Sequence, residues 1–86
     1  PEVAVTLITM GKATRTRGDA VKAKTLFERA LIIYERIYDL EHPKVAEIRF
    51  DLGLTLLRLR EFSAAFKHFL YCTRIYSNLF GDQHHY

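Results

Sequence analysis

The sequence predicts an all-α fold, an α-solenoid of two helix-turn-helix units made from four antiparallel helices. Three observations lead there. Shifted by 42 residues the chain matches itself: Pro1, Val3, Ala4, Gly11, Ala23, Phe27, Ile33, Tyr34 and His42 recur as Pro43, Val45, Ala46, Gly53, Ala65, Phe69, Ile75, Tyr76 and His84. These nine identities compare with roughly two or three expected from ordinary residue usage. Apolar residues recur at steps of three and four, the helical period. The interruptions Gly18-Asp19, His42-Pro43 and Gly81-Asp82 divide that pattern into paired segments. Self-similarity at a period of roughly 20 to 50 residues marks an array of stacked units. Residues 1–42 form the first unit and 43–84 the second. Residues 85–86 fall on the phase of Pro43 and Lys44 and begin a further one, so the chain is expected to be a piece of a longer array.

The first helix is predicted over 2–17, with Val3, Leu7, Met10 and Thr14 at helical spacing and Ala4, Ile8 and Gly11 beside them. Gly18 suits the left-handed turn after a helix end, and Asp19 can accept from the free N–H groups of the next helix. The second helix is predicted over 20–39, with Ala23, Phe27, Ala30, Tyr34 and Ile37 inward. Pro43 lacks an N–H and restricts His42, so the chain leaves helical geometry there and restarts with proline in the first turn. The recurrence of His42 as His84 points to a helix-end hydrogen bond. The third helix is predicted over 44–59 with a core stripe of Val45, Ile48, Leu52 and Leu56. The fourth runs over 61–80, with Phe62, Ala65, Phe69, Cys72, Tyr76 and Leu79 inward. Gly11 and Gly53 lie mid-helix, where glycine costs about 1 kcal/mol relative to alanine, so their recurrence calls for a packing reason. With Ala23 and Ala65 they are expected to let paired helices approach, while Phe27 and Phe69 fill the space between units.

Composition narrows the function. The net charge of +3 comes from 13 basic and 10 acidic residues, a mild excess that argues against a dedicated nucleic-acid binder. A single cysteine cannot form an intrachain disulfide, in keeping with a reducing, cytoplasmic setting. No apolar run approaches the roughly 18 residues of a membrane span. His68 and Cys72, four apart, could offer zinc two ligands, but a structural site takes four and no second pair stands at suitable spacing. Cys72 falls on the phase of Ala30, which assigns it to the core rather than to nucleophilic chemistry. No acid–base pair, metal cluster or phosphate-binding glycine loop stands at useful spacing, so neither an enzyme nor a cofactor is expected.

Glycine in the first helix, with small and aromatic residues in the second, resembles the tetratricopeptide repeat. The long period and the junction Leu40-Glu41-His42-Pro43-Lys44-Val45-Ala46 resemble the kinesin light chain type of that repeat; Thr9-Met10 and Asp51-Leu52 stand where that type commonly carries Asn-Leu. The resemblance implies a right-handed superhelix whose concave face is lined by the first helix of each unit. It brings Val5, Ile8, Thr9, Lys12, Arg15 and Thr16, then Glu47, Phe50, Asp51, Leu54, Leu57 and Arg58, to that face.

Helical spacing supports the last group independently, because Phe50, Leu54 and Leu57 form a second apolar stripe apart from the core stripe. The expected function is non-catalytic protein–protein interaction: Phe50, Leu54 and Leu57, with Ile8 and Asp51 nearby, take the apolar anchor of a short peptide. Lys12, Arg15 and Arg58 hold its flanking carboxylates. Two rivals remain open. The units could be scaffold spacers or oligomerisation repeats, self-associating through apolar faces at both ends. Alternatively, Lys12, Arg15, Arg17, Arg58 and Arg60 could hold RNA.

Overall fold

The computed structural model describes residues 2–81. It contains α1 (Glu2–Thr16), α2 (Ala20–Ile37), α3 (Pro43–Arg58) and α4 (Phe62–Phe80), with no strand among the described residues. The ends differ from the predicted ones by one or two residues, as helix ends do. The expected second seam at Asp82–His84, and the start of a third unit at His85 and Tyr86, lie outside the described residues.

Local chemistry sets each boundary. After α1, the Asp19 N–H donates to the Thr14 carbonyl at 2.8 Å and the Gly18 N–H to the Arg15 carbonyl at 2.9 Å, with Gly18 at φ 95°. This paired closure satisfies carbonyls that the helix leaves free. Asp19 then caps α2, its Oδ1 accepting from the Lys22 N–H at 3.1 Å. The turn after α3 repeats the closure through Arg60 and Glu61, but Arg60 takes the left-handed conformation, at φ 63°, without being glycine. At the seam, His42 caps α3: its Nδ1 accepts from the Lys44 N–H at 3.0 Å, and its ring stacks on Tyr38 at 4.2 Å. Pro43 occupies the first turn, where a missing N–H costs nothing.

The helices pair as α1 with α2 and α3 with α4, and α3 also lies along α2. One core joins the first three, with Ala4, Leu7, Ala23, Phe27, Ala30, Tyr34, Val45, Ile48 and Leu52 buried together. Each fully buried aliphatic or phenylalanine side chain contributes about 1.5–3 kcal/mol relative to exposure. Ala46, Cys72 and Ile75 form a smaller cluster between α3 and α4.

The recurring glycines have a more local role than expected. A Cβ on Gly11 would stand 2.8 Å from Phe27 Cε1, and one on Gly53 would stand 2.6 Å from Phe69 Cε1. Each phenylalanine therefore rests on the glycine of its own helix pair, and Phe27 also belongs to the core that joins α1 and α2 to α3. The predicted inward stripes also need correction at Ile37, Phe62, Tyr76 and Leu79, which are exposed. Ile37 and Leu79 lie near the C-terminal ends of α2 and α4, which are 18 and 19 residues long against 15 and 16 for their antiparallel partners α1 and α3. Phe62 and Tyr76 lie on the side of α4 that corresponds to the side of α2 covered by α3.

Candidate functional site

The first helices of the two units, α1 and α3, lie side by side, and a polar latch holds them. Arg15 in the last turn of α1 reaches Asp51 in α3, with Nη1 3.2 Å from Oδ1 and 3.3 Å from the Asp51 carbonyl oxygen. Its guanidinium lies 5.6 Å from the Phe27 ring centroid. Arg58 Nη1 donates to the Arg15 carbonyl at 3.2 Å, placing a cation at the carbonyl end of α1, where the helix dipole favours it. Two of the three cations predicted to grip a ligand thus join the units to each other.

Above this latch, a cleft of about 230 Å³ runs between α1 and α3. Val5, Ile8, Ile48 and Tyr34 supply its apolar surface, Lys12 and Lys44 its cations, and Glu47 and Asp51 its anions. A second cleft of about 550 Å³ shares Val5, Tyr34 and Lys44 with the first and extends to Glu2, Thr6 and Tyr38. Together they make one groove from the middle of α1 to its N-terminal end. Asp51 has its charge balanced by Arg15, whereas neither Lys12 nor Lys44 takes part in an ion pair among the described residues. The groove therefore presents two free ammonium groups against Glu47.

Of the eight predicted ligand residues, the structure gathers Ile8, Lys12 and Asp51 in this cleft. Phe50, Leu54 and Leu57 do not line it. Phe50 turns towards α4 and meets Phe69 edge to face at 5.6 Å; Leu57 is exposed and Leu54 half-buried. Lys44, Ile48 and Tyr34 were missed as groove residues. A signal existed for the first two: Lys44 stands one turn before Glu47 and Ile48, so a groove reaching Glu47 also reaches Lys44. Tyr34 lies in the core, and only the fold brings it to the groove wall.

On the opposite side of the joint, Arg49 of α3 forms a tight cluster. Its Nη2 donates to Glu35 Oε2 of α2 at 2.7 Å, its Nη1 lies 3.3 Å from His68 Nδ1, and its guanidinium stacks 3.8 Å from the Tyr71 ring centroid. Burial, and then the Arg49 charge, push the His68 pKa below its ordinary value. His68 Nδ1 thus serves as an acceptor for Arg49. Cys72 is buried and donates through Sγ to the Ala46 carbonyl at 3.1 Å; burial raises its thiol pKa, which disfavours the reactive thiolate. Among the described residues, no group of three or more His, Cys, Asp or Glu is placed to hold a metal ion, and no helix is long and apolar enough to cross a membrane.

A family model described as tetratricopeptide repeat matches residues 2–78. No match was found among curated proteins or solved structures.

Proposed function

The chain belongs to the tetratricopeptide repeat family, whose repeats generally mediate protein–protein interaction, and we propose that it is a non-catalytic, cytoplasmic module that docks a short acidic peptide in the groove between α1 and α3. One observation carries this reading. The groove combines an apolar surface of Val5 and Ile8 with Lys12 and Lys44, neither of which has an ion-pair partner among the described residues. An apolar anchor would cover the first pair of residues, and carboxylates on either side of it would meet the lysines. The kinesin light chain-like subtype belongs to the same proposal, supported by the 42-residue period and by the seam at which His42 caps α3.

The joint geometry redirects the test. Reversing Arg15 would break the latch to Asp51, so weakened binding would not separate ligand contact from loss of structure. Lys12 and Lys44 are exposed and free of such a role. The assay is fluorescence anisotropy with a labelled peptide carrying one leucine flanked by aspartates and glutamates. Saturable binding that weakens with salt, and weakens about tenfold in Lys12→Glu/Lys44→Glu while the helical circular dichroism is retained, is expected. Equal affinity in the charge-reversed chain, or no binding by the parent chain, would overturn the proposal.

A further inference from the structure

The two units are copies, so each surface of one unit has a counterpart in the other, and the fate of the counterpart shows what that surface is built to do. In α2, the face that follows Ala20, Lys24, Phe27, Leu31, Tyr34 and Tyr38 at alternating steps of four and three is covered by α3: Tyr34 shares a core with Val45, Ile48 and Leu52. Shifted by 42 residues, that face becomes Phe62, Phe66, Phe69, Thr73, Tyr76 and Phe80 of α4. It keeps the spacing and carries five aromatic rings; Phe69 is half-buried on Gly53, and among the described residues no helix covers this face as α3 covers that of α2. Tyr34 is 5% exposed and its counterpart Tyr76 37%, while Phe66 is 62% exposed.

The covering surface has a counterpart too. Val45, Ile48 and Leu52 of α3 correspond to Val3, Thr6 and Met10 of α1. Val45 is 0% exposed and Val3 64%. Among the described residues, two complementary faces are thus left exposed: a stripe of aromatic side chains on α4, and a stripe of smaller uncharged ones on α1.

We propose that these faces dock on each other between two copies of the chain, head to tail, with α1 of one copy lying on α4 of the next as α3 lies on α2. The charges agree with this occupant. Within the chain, the joint is bordered by Arg15–Asp51, Lys24–Glu61 and Arg49–Glu35. The same operation applied between copies brings Leu57 to Thr9, Phe66 to Asp19 and Ser77 to Leu7, so none of these three pairs joins like charges and each is more apolar than the ion pair it replaces. The cleft of about 520 Å³ on α4 is bordered by Thr73 and Ser77. Their counterparts Leu31 and Glu35 are half-buried beside α3, so this cleft flanks the seat that a first helix occupies in the inner joint. Contacts of this kind are heterologous, so each copy keeps one face for a further copy until a ring closes, and assembly grows with concentration.

The test uses the 86-residue chain, with mass followed by sedimentation over a range of concentrations. The parent chain is expected to exceed its 10.1 kDa monomer mass progressively as concentration rises. Val3→Asp and Phe66→Asp, both at exposed positions, should each weaken assembly about tenfold or more. An equimolar mixture of the two retains one intact α1 face and one intact α4 face. It is therefore expected to form a dimer and stop there. A parent chain that stays monomeric throughout would overturn the proposal. So would assembly that only Phe66→Asp disrupts, which is the behaviour of an α4-to-α4 contact, and so would a mixture that fails to restore the dimer. If either aspartate lowers the helical circular dichroism, Met10→Glu and Phe62→Glu probe the same faces under the same criteria.

Discussion

Replacing Gly11 by alanine sets two known effects against each other, and the structure decides between them. Mid-helix, alanine is better than glycine by about 0.8–1 kcal/mol, so helix propensity alone predicts a more stable protein. The added methyl, however, would lie 2.8, 2.9 and 3.0 Å from three atoms of the Phe27 ring, against an optimal carbon separation of about 3.5–4.0 Å. Phe27 is fully buried and borders the Arg15 guanidinium, so it has no solvent to turn into. Overpacking of this kind costs about 1–3 kcal/mol, and three simultaneous overlaps against an immobile ring place it in the upper part of that range. The net expectation is a loss of about 1–2 kcal/mol, or a fall in Tm of about 5–15 °C for a chain of this size. Urea and thermal unfolding by circular dichroism, at a concentration where the chain is monomeric, measure it. Gly53→Ala should lose less despite its deeper overlap, because Phe69 is only half-buried and can swing outward. A second substitution, Phe27→Leu, should recover about 1 kcal/mol of coupling in the Gly11→Ala background. If Gly11→Ala instead stabilised the protein by about 1 kcal/mol, the close seating of Phe27 on α1 would be refuted.

Other outcomes follow from the turns and the joint. Arg60 adopts at φ 63° the conformation that Gly18 adopts at φ 95° in the first unit, so Arg60→Gly is expected to raise stability by about 0.5–1 kcal/mol and Gly18→Ala to lower it by about 1 kcal/mol. Effects of the same sign in the two unfolding curves would contradict the shared geometry. Glu35→Gln leaves Arg49 without its 2.7 Å carboxylate partner in a partly buried setting, with an expected loss of about 1–2 kcal/mol in urea unfolding; an unchanged midpoint would show that the pair contributes nothing. The folded-state pKa of His68 lies below its ordinary 6.5, so on acidification the unfolded chain takes up this proton first. Its contribution is therefore full above pH 6.5, declines between 6.5 and the lower folded value, and is constant below that. His68→Gln should flatten that segment of the stability–pH curve, and a curve identical to the parent's would exclude His68 as its source.

Much of the fold was legible because its causes are local. Helical spacing, Gly18-Asp19 and His42-Pro43 act within a few residues, and they located all four helices to within a residue or two. The 42-residue self-match then relates α1 and α2 to α3 and α4, the helices that pair in the structure. The groove was legible only in part. Ile8, Lys12 and Asp51 project from the helix faces that the resemblance assigned to it, whereas Phe50 is drawn towards Phe69 on α4, a residue 19 positions away in the chain.

By itself, then, the sequence determined the number of helices, their limits to within a residue or two and the glycines against which Phe27 and Phe69 pack. Tertiary structure alone decided which cations are free. Arg15 and Lys12 stand one turn apart on α1, but Arg15 meets Asp51 at 3.2 Å and becomes part of the joint, whereas Lys12 has no ion-pair partner among the described residues and faces the groove. The physical reason is range. Helix formation and capping are settled between residues up to about four or five apart, while the partner of a long charged side chain depends on how separate helices come to lie against one another.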